Sequence, residues 1–130
     1  MQKEILLQGA FLLLLGIILG AFGAHYIKDL AEDPEIVTSY ETGVRYQLYH
    51  GIALLIFAFQ AHKFPFSIVK FTRMIMVGVS FFSGSLYVMT IIKLLSLYNP
   101  PVIIALCTPL GGIILVFAWG YLIYKVMRYL

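Results

Sequence analysis

Three uncharged apolar runs, each long enough to cross a lipid bilayer, constrain this chain more than any other feature of its sequence. A bilayer core is about 30 Å thick, so a spanning helix needs roughly 20 mostly apolar residues. Residues 5–24, 74–92 and 102–124 meet this requirement without a single Asp, Glu, Lys or Arg. Because the runs are continuous and do not alternate with period two, they favour membrane helices over a β-barrel.

A fourth apolar run, residues 48–61, is short and reaches spanning length only if its helix starts near Val44. Upstream of it, Asp33-Pro34-Glu35 is typical of a helix start, because Asp can cap, Pro fits the first turn and Glu favours the positive helix end. This second span has the least hydropathic support of the four. We interpret the first run as a retained span and not as a cleaved signal peptide.

The sequence therefore predicts an all-α membrane protein, a four-transmembrane-helix bundle with a short amphipathic helix leading into the second span. A single integral membrane domain is expected over residues 1–130, with spans at about 5–26, 44–61, 71–93 and 102–124. Phe64-Pro65-Phe66 and Asn99-Pro100-Pro101 are the predicted breaks between the later spans.

The composition excludes several soluble classes. Hydrophobic residues make up 62% of the chain and charged residues 12%, whereas a soluble domain carries about 25% charged residues. The one cysteine, Cys107, has no partner for a disulfide within the chain. A net charge of +3 without a basic stripe does not indicate a nucleic-acid partner.

The charged residues are distributed unequally between the two sides of the predicted bundle. One side holds Lys3, Lys63, Lys70, Arg73, Lys125 and Arg128. The other side holds Lys28, Arg45 and Lys93 together with Asp29, Glu32, Asp33, Glu35 and Glu41. Because cytoplasmic loops carry the excess of Lys and Arg, both termini are predicted to be cytoplasmic.

Small residues form one narrow face of the first span. Spacing at about 100° per residue places its four glycines together; they are Gly9, Gly16, Gly20 and Gly23. Small residues let membrane helices approach closely, so we predict a packing seam, either within the chain or against a second copy in a homo-oligomer. Three further glycines are expected at helix contacts, namely Gly84, Gly111 and Gly112.

Uncharged polar groups are expected to gather in the outer half of the bundle. At 1.5 Å per residue, His50, Tyr87 and Thr108 each lie about 9 Å inside their spans. The predicted polar pocket consists of His25, Tyr46, Gln47, His50, Ser83, Tyr87 and Thr108. An ionisable residue in a span is a functional candidate. The alternative is a neutral histidine that joins helices by hydrogen bonds, and both interpretations stay open.

The sequence offers little support for an enzyme. Two histidines without a nearby Cys or a buried carboxylate make a poor zinc site. Ser83 and His50 have no buried acid to orient the imidazole, and no phosphate-binding or dinucleotide fingerprint occurs. We expect no catalytic residues, no metal and no cofactor.

Four segments in order along nearly the whole chain carry a family resemblance. They are LGAFGAH at 19–25, YQLYH at 46–50, FSGSLY at 82–87 and TPLGG at 108–112. With these segments the chain resembles the YgdD/YwdK-like family of small four-span bacterial inner-membrane proteins, a domain of unknown function with animal transmembrane relatives. The resemblance implies a multi-pass protein of the bacterial plasma (inner) membrane and implies no activity.

Three functions are compatible with these features. The first is a non-enzymatic bundle whose outward-facing polar pocket binds a small molecule or a lipid. The second is a small oligomeric transporter or channel, although the spans contain no Asp or Glu that would form a relay. The third is a structural or assembly partner of other membrane proteins. Beyond the lipid bilayer itself, no partner is identified by the sequence.

Overall fold

The computed structural model describes residues 2–95 and 100–130, and four long helices make up most of this part of the chain. The helix α1 comprises Gln2–Phe22, a π-helical turn at Gly23–Ile27 and a last α-helical turn at Lys28–Leu30. The others are α2 (Pro34–Gln60, followed by a 3₁₀ turn at Ala61–Lys63), α3 (Val69–Leu94) and α4 (Val102–Tyr129). No strand occurs among these residues, so the predicted all-α class with four helices is confirmed. Asn99 of the predicted break lies outside the described residues.

Three of the four helices are long and apolar enough to cross a membrane. These are α1 over all 29 residues, α3 with 26 and α4 with 28. The helix α2 does not reach the same apolar threshold, in keeping with the weaker hydropathy noted for the second span. It nevertheless packs antiparallel along α1 on one side and α3 on the other.

The start of α2 agrees with its sequence signals. The Asp33 carboxylate accepts a hydrogen bond from the Glu35 backbone N–H at 2.9 Å, and Pro34 is the first helical residue. The helix then continues without a break to Gln60. The amphipathic segment and the predicted second span are therefore one helix of 27 residues.

The glycine face of α1 packs against α2 of the same chain. A Cβ atom added to Gly16 would lie 2.6 Å from Leu48 Cδ2, and one added to Gly23 would lie 2.6 Å from Tyr40 Cε1. Gly9 and Gly20 face α2 as well. Because α2 covers this seam, a second copy of the chain cannot reach it without displacing α2.

The closest contact between α3 and α4 lies at Gly111. A Cβ atom there would meet the backbone nitrogen of Phe82 and lie 2.8 Å from the Gly78 carbonyl oxygen. Gly112, the next residue, faces away from this contact. A Cβ atom added to it would have only the Phe82 ring within 4 Å. Gly84 has no neighbouring group within 4 Å of a Cβ position. Gly111 is thus a packing glycine, whereas Gly84 and Gly112 leave open space.

The four helices lie side by side in chain order, and their two halves differ in chemistry. We call the end with Lys3 and Lys125 the basic end, and the end with Glu32 and Asp33 the acidic end. Towards the basic end the core is apolar apart from Thr72 and includes Ile5, Leu54, Ala58, Phe71, Ile75, Ala118 and Leu122, all of them buried. Towards the acidic end the buried side chains include polar ones, and these form the candidate site.

Candidate functional site

The amide of Gln47 joins three helices. Its side chain is 4% exposed, and Nε2 donates a hydrogen bond of 2.9 Å to the carbonyl oxygen of Leu12 in α1. The hydroxyl of Tyr87 in α3 donates to Gln47 Oε1 at 2.8 Å. Both ends of the amide are therefore paired within the chain.

Two more hydroxyls make the same kind of interhelical bond. Tyr40 donates to the Leu19 carbonyl oxygen at 2.7 Å, joining α2 to α1. Ser83 donates to the Gly43 carbonyl oxygen at 2.8 Å, joining α3 to α2. In hydrocarbon, where water cannot replace a missing partner, such bonds hold helices in register.

His50 is fixed by two hydrogen bonds that define its tautomer. The indole N–H of Trp119 in α4 lies 3.2 Å from His50 Nε2, and an indole can only donate. Nε2 is therefore the unprotonated acceptor, and Nδ1–H donates to the Tyr46 carbonyl oxygen at 2.7 Å. The side chain is 8% exposed. The imidazole is thus held as the neutral Nδ1–H form, and both ring nitrogens are in use.

Trp119 belongs to the candidate site, although the sequence did not single it out. Its ring packs against Phe71 at a centroid distance of 5.3 Å. A buried indole N–H, however, needs an acceptor. The neutral imidazole of His50 supplies this acceptor. The need of a tryptophan within a span for a hydrogen-bond acceptor was the feature of the sequence that could have indicated this pair.

A groove of about 630 Å³ lies beside His50, between α2 and α4. We call it the His50 groove; it is lined by Tyr46, His50, Phe82, Gly112, Leu115, Val116, Trp119, Gly120 and Ile123. A Cβ atom at Gly120 would have no neighbour within 4 Å, so the glycines keep the groove open. Val116 is 72% exposed, which places the mouth of the groove at the lipid-facing surface of the bundle.

The seven residues of the predicted pocket do not all come together. Tyr46, Gln47, His50, Ser83 and Tyr87 lie in the same part of the bundle, but only Tyr46 and His50 line the groove. His25 is exposed in the π-helical turn of α1. The hydroxyl of Thr108 lies 2.6 Å from that of Ser85 at a separate contact between α3 and α4.

Most polar side chains of the site are already paired within the chain. The imidazole nitrogens of His50 are already hydrogen-bonded, and Gln47 and Tyr87 satisfy each other. Within residues 2–95 and 100–130, no group of three or more His, Cys, Asp or Glu side chains could hold a metal ion. The groove itself offers a mostly apolar wall with one polar edge at Tyr46 and His50.

Comparison with known proteins places the chain among membrane proteins. A family described as "Protein of unknown function (DUF423)" matches residues 19–112. The UPF0382 membrane protein YwdK of Bacillus subtilis is 32% identical, over 99% of this chain and 100% of that protein. A UPF0382 membrane protein of Haemophilus influenzae is 32% identical over 83% of this chain and 81% of its own, and one of Schizosaccharomyces pombe is 28% identical over 82% and 87%. No solved structure matches the chain.

Proposed function

Because the chain belongs to the DUF423 family of UPF0382 membrane proteins, a family of unknown function, we propose its function from its geometry. It is a non-enzymatic, multi-pass membrane protein that binds a lipid or a small amphipathic molecule in the His50 groove. The polar part of the ligand would contact the edge formed by Tyr46 and His50, and its apolar part would lie against α4.

The groove carries this proposal. Its volume of about 630 Å³ lies within the range of about 300–1,000 Å³ that small-molecule sites occupy. Such sites combine a largely apolar wall with a few placed polar groups. Here Tyr46 is 41% exposed, lines the groove and packs 4.5 Å from the Phe82 ring, centroid to centroid, so we assign the polar contact with the ligand to its hydroxyl.

The buried hydrogen-bonded cluster supports the groove and does not form part of it. Gln47, Ser83 and Tyr87 bond to neighbouring helices and do not line the groove. Their bonds fix where α2 stands relative to α1 and α3. The position of α2 in turn determines where His50 lies relative to Trp119 in α4. The cluster therefore holds the polar edge of the groove in place before a ligand binds.

A pair of glycine variants tests the proposal. Gly120→Phe fills the His50 groove, and Gly84→Phe fills a separate groove of about 350 Å³ between α3 and α4. Neither glycine has a neighbour within 4 Å of its Cβ position, so both variants should fold. Bound molecules are identified by native mass spectrometry after purification in mild detergent. We expect Gly120→Phe to lose a bound molecule that the parent protein and Gly84→Phe retain.

Two results would contradict the proposal. One is an identical set of bound molecules in the parent protein and both variants. The other is equal loss from Gly84→Phe and Gly120→Phe, which would mean that the ligand does not occupy the His50 groove. Melting temperatures of both variants in the same detergent establish that any loss is not due to unfolding.

The orientation that we propose places the His50 groove in the outer half of the membrane. Both termini would be cytoplasmic in the bacterial plasma membrane, because six of the nine Lys and Arg residues belong to the basic end and five of the six acids to the acidic end. A ligand of the groove would then come from the outer leaflet or from outside the cell. Any homo-oligomer would use a surface other than the glycine face of α1, which α2 covers.

A further inference from the structure

A second groove, of about 700 Å³, lies at the basic end between the start of α3 and α4. We call it the Lys70 groove; it is lined by Ser67, Val69, Lys70, Arg73, Met74, Val77 and Ile114. It shares no lining residue with the His50 groove. Any ligand of the Lys70 groove is therefore bound independently of the function proposed above.

The lining of this groove changes from cationic to apolar along the helix. Lys70 and Arg73 are three residues apart, so they project from the same side of α3. Met74 and Val77 continue along that side, and Val77 lies about 10 Å along the axis from Lys70. The opposite side of this turn is packed into the core, where Phe71 is 1% exposed.

Lys70 and Arg73 give the lining of the groove a positive charge. The Lys70 ammonium lies 5.0 Å from the centroid of the Tyr121 ring, and the described residues that line the groove include no Asp or Glu. Five of the six acids belong to the acidic end of the bundle, and the sixth, Glu4 in α1, does not line the groove. The groove therefore presents positive charge at the end of a membrane span, where lipid phosphates lie.

We propose that the Lys70 groove binds an anionic phospholipid. The lipid phosphate would lie between Lys70 and Arg73, and an acyl chain would follow Met74 and Val77 towards Ile114. Charge complementarity selects the headgroup, and the apolar continuation of the groove distinguishes a lipid from free phosphate. Basic pockets between transmembrane helices bind anionic headgroups in this way.

The first test removes the charges. Phosphatidylglycerol is titrated into the full-length protein in neutral detergent, and its dissociation constant is measured by native mass spectrometry. We expect K70Q/R73Q to bind about 30-fold more weakly, since each juxtamembrane cation contributes about 1 kcal/mol. The matched control, K125Q/R128Q, removes two charges from the same end but outside the groove. It should change the dissociation constant less than about twofold.

The second test blocks the apolar part of the groove. Val77→Phe fills the expected position of the acyl chain, while Val88→Phe places the same ring on an equally exposed site of α3 outside this groove. We expect only Val77→Phe to weaken phosphatidylglycerol binding, and inorganic phosphate should not compete with the lipid.

The proposal is overturned if K70Q/R73Q and K125Q/R128Q weaken binding equally, because the effect would then be general electrostatics. It is also overturned if Val77→Phe binds the lipid as the parent protein does, or if inorganic phosphate displaces the lipid. Melting temperatures of all four variants verify that each is folded. Failure of these tests leaves the Gly120→Phe experiment unaffected, because the two grooves are separate.

Discussion

Gln47 has a hydrogen-bond partner on each side of α2, Leu12 in α1 and Tyr87 in α3. Within hydrocarbon, an amide that lost one of these partners would find no water to replace it. Cycles of paired substitutions in membrane proteins give about 0.6 kcal/mol for an average interhelical hydrogen bond and about 1.7 kcal/mol at most. These hydrogen bonds therefore add little to the free energy of unfolding, and their main effect is to set the position of α2 relative to α1 and α3.

Tyr87→Phe should lower the free energy of unfolding by about 1 kcal/mol, because it leaves Gln47 Oε1 without a donor. Tyr49→Phe is the control, since the Tyr49 ring is 62% exposed and should contribute less than about 0.5 kcal/mol. Reversible unfolding in mixed micelles, followed by circular dichroism, measures both. Equal stabilities of the two variants would contradict the role assigned to this bond.

The tautomer of His50 is a second prediction at this scale. In protein labelled with ¹⁵N at histidine, the ring spectrum should show Nδ1 protonated and Nε2 bare, as the bonds to Tyr46 and Trp119 require. Trp119→Phe removes the donor to Nε2 and should shift the Nε2 resonance while leaving His25 unchanged. A spectrum with the proton on Nε2 would exclude the Trp119 hydrogen bond.

Among the helices, glycine has two opposite uses. Gly111 lets α4 touch the backbone of α3 at Phe82, whereas Gly120 borders the open His50 groove. The same residue type thus brings two helices together in one place and keeps space between them in another. The difference follows from the direction in which each position faces.

Alanine substitutions distinguish these uses. Gly111→Ala should cost about 1–3 kcal/mol, because its methyl group meets the backbone of α3, which cannot move aside as a flexible side chain would. Gly120→Ala meets nothing within 4 Å and should be neutral or slightly stabilising, because Ala favours the helix. Melting temperatures in one detergent compare them. A Gly111→Ala protein as stable as Gly120→Ala would contradict the close contact.

Sequence patterns predicted the helices better than they predicted which residues form the contacts between helices. The cap at Asp33 and the glycine face of α1 follow from local rules, and the structure has both. Whether Gly84 or Gly78 faces a neighbouring helix depends on the relative rotation of the helices, which no local rule supplies. For the same reason the sequence grouped Thr108 with His50, although Thr108 faces Ser85.

The molecule as a whole is polarised along its long axis. Six of the nine cations belong to one end, where the core is mostly apolar, while the buried amide and imidazole lie towards the other end. Depth along antiparallel spans predicted this division, because depth depends only on helix rise and chain direction. The two grooves could not be predicted from the sequence, because they form where the side chains of neighbouring helices leave space between them.

This polarity makes the orientation testable in intact cells. In a Cys107→Ala background, Glu32→Cys should react with a membrane-impermeant maleimide added outside. Lys63→Cys should react only after the membrane is permeabilised. Both positions are exposed, so accessibility within the protein does not bias the comparison. Labelling of Lys63→Cys in intact cells, with Glu32→Cys protected, would invert the proposed orientation.

The packing of α2 between α1 and α3 has a consequence for biogenesis. On its own, α2 would expose the Gln47 amide and the Tyr40 hydroxyl to lipid, and the acceptor of each is a carbonyl oxygen of α1. Because α1 leaves the ribosome first, these acceptors are already present when α2 reaches the translocon. If the two helices enter the bilayer together as a hairpin, both donors are paired from the start.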